Sequence, residues 1–223
     1  VRQMRDVIIF GIGQVAEVIH HYLTEEGGRN VVAFTVDAAY RTAEDVFGVP
    51  VVDFEDVEQR FPPDTHEMFV AISFKGVNKL REAKVAEAEA KGYALTSHVS
   101  PRASVWSKLV VNPNTIIMEN NVIQPFVTIG RNVIMWSGNH IGHHTRIGDN
   151  CFIASQAVIS GNCEIGAGTF IGVNATLRDN INIGARNVIG AAALILKSSD
   201  DNAVFVGAAT EAARVTSDRL RSI

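Results

Sequence analysis

Three of the seven histidines crowd into six residues, Asn139-His140-Ile141-Gly142-His143-His144. A neutral imidazole, with a pKa of about 6.5, suits general-base removal of a proton from an attacking amine or hydroxyl. Clustered imidazoles can also ligate zinc, but adjacent His143 and His144 are poorly placed to converge on one tetrahedral ion, and no metal is expected. His98 is expected to be structural, and His20, His21 and His66 have no acids at useful spacing. A second candidate is the turn Gly11-Ile12-Gly13-Gln14-Val15-Ala16, which follows the apolar run Val7–Phe10. Its glycines would let the backbone approach a diphosphate at a helix N-terminus, or simply make a tight turn with no ligand. Asp37 lies about twenty residues on, where dinucleotide folds place a ribose-binding acid.

The elements that must hold the histidines are set by a repeat. From Val99 to Ile195 every sixth residue is an aliphatic, giving 17 hexads without insertion before Asp201 breaks the series. Glycine follows the aliphatic at Gly130, Gly142, Gly148, Gly166, Gly172, Gly184 and Gly190. Four places after it stand small residues such as Thr115, Thr145, Cys151, Ala157, Cys163 and Ala175. A period of six is no helical period, and it fits short strands winding as a parallel β-helix. Cys151 and Cys163 fall in inward small-residue positions and read as buried packing thiols, with neither a disulfide nor a metal knuckle implied.

The hexads resemble those of the left-handed β-helix acyltransferases, and the resemblance implies three hexads, eighteen residues, per triangular coil. Residues eighteen apart then stack into ladders about 4.8 Å per step. The outward positions make three faces. The first carries Ile116, Ile134, Phe152, Phe170 and Val188; the second carries Ser104, Val122, His140, Val158, Thr176 and Leu194. The third, with Val110, Thr128, Arg146, Glu164 and Asn182, is polar. Two apolar outer faces call for burial against partners; the resemblance implies a cyclic trimer, so a homotrimer is expected, with His140 an interface packing residue.

The first hundred residues alternate strand and helix: Val7–Phe10, a helix over 14–26, Val31–Val36, a short helix over 54–61, Met68–Ile72, a helix over 78–91 with Glu87 and Lys91 supporting each other, and a strand over 93–97. The expected fold is a small parallel Rossmann-like α/β domain (1–97), a left-handed β-helix of hexapeptide repeats (98–197) and a C-terminal loop and helix (198–223). The α/β segment is too short for two mononucleotide halves, so Gly11, Ile12, Gly13, Gln14 and Asp37 are expected to bind a mononucleotide diphosphate.

This order of domains resembles the bacterial sugar acyltransferases that include sialic acid O-acetyltransferases and nucleotide-aminosugar N-acetyltransferases of cell-surface polysaccharide synthesis. The resemblance implies acetyl-CoA as co-substrate, a nucleotide-linked aminosugar as acceptor and direct transfer, with O-acetylation the alternative. It also places a general base on His143, in Ile141-Gly142-His143-His144-Thr145-Arg146-Ile147-Gly148. His144 stands where the family often carries an acid, and the resemblance groups it with His143 as catalytic. Carried over likewise are donor contacts at Phe152, where the family has a second histidine, at Val173 and Ala191, and at Lys197 with the tail Val204–Ala208. A metal-dependent enzyme and a non-catalytic scaffold are the remaining alternatives.

The composition excludes other classes. The 223 residues are 47% hydrophobic and 20% charged, with net charge −4, so neither nucleic acid nor an anionic membrane is an expected partner. No apolar run approaches the roughly 18 residues of a membrane helix, and Val1–Asp6 leads straight into a strand, so a cytoplasmic protein without a signal peptide is expected.

Overall fold

A computed structural model describes residues 5–212, 214 and 216–219. Its N-terminal region starts with β1 (Asp6–Phe10), whose apolar residues are buried on both faces as a central parallel strand requires. The helix expected over 14–26 is α1 (Gln14–His21) followed by a π-helical turn, Tyr22–Glu26. Thr24 Oγ1 donates back to the His20 carbonyl at 2.9 Å in this wider turn. There follow β2 (Val31–Val36), the hairpin strands β3 (Asp45–Val46) and β4 (Val49–Asp53), α2 (Val57–Arg60), β5 (His66–Val70), α3 (Lys79–Ala90) and β6 (Ala94–Leu95). The sheet runs β3-β4-β2-β1-β5-β6 and is parallel except for β3. Glu87 and Lys91 do not pair: Lys91 reaches Glu58 at 2.8 Å, and Glu87 takes Lys84 at 2.7 Å.

The hexads wind as a prism of two-residue parallel strands in register every eighteen residues. Ile134 lies opposite Phe152 and Phe152 opposite Phe170; Val122, His140 and Val158 align on a second sheet, and Thr128, Arg146 and Glu164 on a third. The hexad aliphatics from Ile117 to Ile195 form one buried column together with Cys151, Ala157, Cys163 and Ala175. Each corner from Asn114 to Ala192 is turned by a residue at positive φ; Asn114, Asn120, Asn132, Asn150, Asn162, Asn174 and Asn180 lie between 55° and 62°. Asparagine tolerates this region because its short amide bonds locally.

Two hexads depart from the pattern. No strand forms at Val111, where the Asn112 side-chain amide donates to the Ile129 carbonyl at 2.6 Å, a bond that backbone N–H groups make elsewhere in the ladders. At the other end Val188 pairs with Val204, sixteen residues on instead of eighteen, and Phe205 packs against the inner column. The β-helix therefore runs past the expected boundary at 197. Of the expected C-terminal helix, a 3₁₀ turn over Ser217–Arg219 is described; residues 213, 215 and 220–223 lie outside the described residues.

The first apolar face corrects the expectation that partners cover two faces. Ile116, Ile134 and Phe152 are buried in one core with Ile9, Ile19, Leu23 and Phe34, so the chain's own α/β region covers them. The junction is fixed by Arg81, which is fully buried. It donates to Ser73 O (2.9 Å) and Asn78 Oδ1 (3.0 Å) on its own side, and to Asn132 Oδ1 (3.1 Å), Asn150 O (2.9 Å) and Cys151 O (3.1 Å) across it. Burial pushes its pKa down to about 10. The second face stays open, with Val122 41%, Val158 39% and Leu194 63% exposed. Among the described residues no helix is long and apolar enough to cross a membrane.

Candidate active site

The three sheets define three edges. Following the chain, residues 137–138, 155–156, 173–174 and 191–192 turn from the first face to the second, and 125–126, 143–144, 161–162 and 179–180 turn from the second to the third. His143 and His144 are exposed on the latter edge, as the hexad frame predicts. The His143 N–H donates to Gln124 Oε1 at 2.8 Å, and the His143 carbonyl accepts from the Asn162 N–H at 2.7 Å. The imidazole lies over Gly161, where a Cβ would stand 2.8 Å from both Cε1 and Nε2. His143 Nδ1 and His144 Nδ1 are 3.1 Å apart. His144, at φ 62°, packs its ring on Phe126, centroids 4.6 Å apart, and Phe126 packs on Trp106 at 5.7 Å.

Val173 and Ala191 are exposed on the opposite edge of the open second face. Gly207 lies so close to Ala191 that a Cβ would overlap the Ala191 carbonyl, which brings the tail segment Val204–Ala208 against this edge. Lys197 is exposed on the His143 edge but three coils away, about 14 Å at one strand spacing per coil. Phe152 is not beside His143 within one chain. It is 4% exposed on the first face, with Phe74 5.3 Å and Phe170 5.7 Å between ring centroids. His140 is half-buried between Val122 and Val158 on the open face. His98 is buried beside Glu26, and burial lowers its pKa although Glu26 opposes this. Cys151 and Cys163 are buried thiols; burial pushes Cys151 up to about 12 and raises Cys163. Among the described residues no group of His, Cys, Asp or Glu is arranged to hold a metal ion.

A cavity of about 780 Å³ opens at the C-terminal ends of β1, β2 and β5, where strand order reverses about β1. Gly11, Gly13 and Asp37 line it, together with Tyr40, Lys75, Gly76, Leu80 and Lys84, which sequence reasoning missed. Gly11 is required, since its φ is 119° and a Cβ would meet Ala71 O at 2.9 Å. Gly13 leaves the first turn of α1 without a side-chain cap and open to an anion. Ile12 packs into the core, and Gln14 is exposed outside the cavity lining. Asp37 accepts from Lys84 Nζ at 2.7 Å. Burial alone would lower the pKa of Lys84, but its hydrogen bonds to Asp37 and Glu87 outweigh that and raise it.

Gln124, Gly161, Phe126 and Trp106 were also missed at the histidine edge. Gly161 carried a signal, since it stands two places after its aliphatic whereas the regular glycines stand one place after.

Residues 127–161 match the family described as bacterial transferase hexapeptide (six repeats). No curated protein sequence matches the chain. A histidine-to-asparagine variant of perosamine N-acetyltransferase from Caulobacter crescentus, solved with CoA and GDP-perosamine, superposes with TM-score 0.83 at 26% identity over 91% of this chain and 93% of that one. The acetyltransferase domain of PglB from Neisseria gonorrhoeae gives 0.77 at 24% identity over 87% and 93%. WeeI from Acinetobacter baumannii gives 0.77 at 19% over 92% and 97%. The last two are similar in fold. The chain has the hexapeptide-repeat fold of the sugar acyltransferases, and it is an acyltransferase.

Proposed function

We propose that the chain transfers an acetyl group from acetyl-CoA to the amine of a nucleotide-linked amino-deoxysugar, as a homotrimer, with His143 as general base. The carrying observation is the open second face, flanked on one edge by the exposed His143 imidazole and on the other by Val173 and Ala191. A cyclic arrangement that covers the Val122, Val158 and Leu194 ladder sets the histidine edge of one copy against the Val173 and Ala191 edge of the next. Acetyl-CoA fits that cleft, where backbone amides of the second edge would receive the thioester oxygen. The similar Caulobacter enzyme, solved with CoA and GDP-perosamine, supports this substrate pair.

The 780 Å³ cavity is assigned to the nucleotide. Lys75 supplies positive charge for the diphosphate beside the open N-terminus of α1, and Asp37, held by Lys84, and Tyr40 are placed for the ribose and base. The sugar amine attacks the thioester carbon directly, its proton passes to His143 Nε2, and the thiolate of CoA leaves and is protonated in turn. Burial of both cysteines fits direct transfer without a cysteinyl acyl-enzyme.

Release of CoA from acetyl-CoA, measured across a panel of nucleotide sugars, tests the assignment. Turnover is expected with aminosugars, and His143→Ala should lower kcat by about 10²–10⁴-fold. Turnover confined to the matching hydroxyl sugars would instead establish O-acetylation, and an unimpaired His143→Ala enzyme would remove the base.

A further inference from the structure

We infer that His144 is the positioning residue for His143, a neutral hydrogen-bond acceptor where an acidic partner would otherwise hold the base. The inference rests on the reading of His143 as the base. At 3.1 Å the two Nδ1 atoms are within hydrogen-bond distance. Two imidazole nitrogens can bond only when one carries a proton and the other does not. A base that accepts through Nε2 carries its own proton on Nδ1, so His143 donates and His144 accepts, with the His144 proton on Nε2. The ring planes are crossed at 85° and the centroids are 5.3 Å apart, the separation at which the two Nδ1 atoms face each other, each in its own ring plane.

His144 is itself held. It occupies a left-handed corner, φ 62°, with its ring stacked on Phe126 and Phe126 on Trp106. Among the described residues neither ring pairs with a carboxylate of its own chain, and the His143 Nδ1 contact on this edge is with His144 Nδ1. The arrangement survives the reaction. When the acceptor amine bonds to the thioester carbon and its proton moves to Nε2, the His143 Nδ1–H still donates to the neutral His144. The proton then leaves Nε2 for the departing CoA thiolate, and the pair returns to its starting state.

The corners one coil away supply substitutions that the backbone accepts: Phe126 holds the same position at φ 69° and Asn162 at φ 56°. His144→Phe keeps the stacking and deletes the acceptor, whereas His144→Asn supplies an amide oxygen near the lost Nδ1. In the intact oligomer His144→Phe should lower kcat about 10–100-fold, with KM for acetyl-CoA within about twofold, and His144→Asn should recover activity to within about threefold. Histidine-selective ¹⁵N spectra of the resting protein should place the His143 proton on Nδ1 and the His144 proton on Nε2, with His143 losing this preference in His144→Phe. If His143→Ala abolishes turnover while His144→Phe is unimpaired, or if His144 carries its proton on Nδ1, the inference is overturned. An unimpaired His143→Ala enzyme overturns it together with the base assignment.

Discussion

Gly161→Ala should disable the reaction without unfolding the protein. The three heavy atoms nearest to the added Cβ all belong to the His143 ring: Cε1 and Nε2 at 2.8 Å and Cδ2 at 3.2 Å. Ordinary carbon contacts lie at about 3.5–4.0 Å, so the ring must retreat by about 0.7–1.2 Å. Gly161 has no left-handed φ to protect, and an exposed ring gives way more readily than backbone. A displacement of about 1 Å in a reacting group costs about 10²-fold in rate. Steady-state CoA release should therefore show kcat reduced by about two orders of magnitude, with KM for acetyl-CoA and the thermal midpoint little changed. Gly148→Ala is the contrasting case, because its Cβ would stand 2.7 Å from the backbone nitrogen of Ala167. There the coil must shift and stability should fall. Wild-type kcat in Gly161→Ala, or a loss of stability equal to that of Gly148→Ala, would refute the reasoning.

Leu194→Asp places a charge on the open ladder with Val122 and Val158, and sedimentation should register smaller species with activity lost in parallel. Arg81→Met leaves the Asn150 and Cys151 carbonyls and the Asn132 side chain without their buried donor, and the urea midpoint should register a loss of at least about 3 kcal/mol. Acid should loosen the same junction. Burial lowers the folded pKa of His98, so the unfolded chain takes up its proton first, and stability declines as pH falls below about 6.5. Burial raises the pKa of Glu26, but its hydrogen bonds to Ser100, Arg102 and His98 lower it overall; its contribution holds above the ordinary carboxylate value of 4.5 and is lost as pH falls through the lower folded value. Urea titrations from pH 8 to pH 2 should show both declines, and His98→Gln should remove the upper one.

The prism was legible because one inward aliphatic per hexad is a constraint that every coil must meet. The left-handed corners were not read from the sequence, although Asn120, Asn132, Asn150 and Asn162 recur every two or three hexads for a backbone reason. The hairpin of β3 and β4 was hidden, since its two-residue turn is Phe47-Gly48 with φ 55° and 75°, and phenylalanine stands where asparagine or aspartate usually signals such a turn. Apolar residues on the first face announce that Ile134 and Phe152 must be covered but not by what, and the cover proved to be the chain's own α/β region. Arg81 was illegible for a related reason: a charged residue on a helix looks solvated until the carbonyls that surround it are in place. At the histidine edge, sequence located His143, whereas Gln124, Gly161 and Phe126 act through contacts between successive coils that local pattern does not reveal.

Mixed oligomers test most directly whether two copies build one site. His143→Ala subunits lack the imidazole edge, and Ala191→Trp subunits should block the opposite edge; each is expected to be inactive alone. Random equal mixing into trimers pairs an intact histidine edge with an intact Ala191 edge at about one interface in four. Co-assembled protein should recover about a quarter of wild-type CoA release. No recovery from demonstrably mixed trimers, or full activity from an isolated protomer, would contradict a site shared between copies.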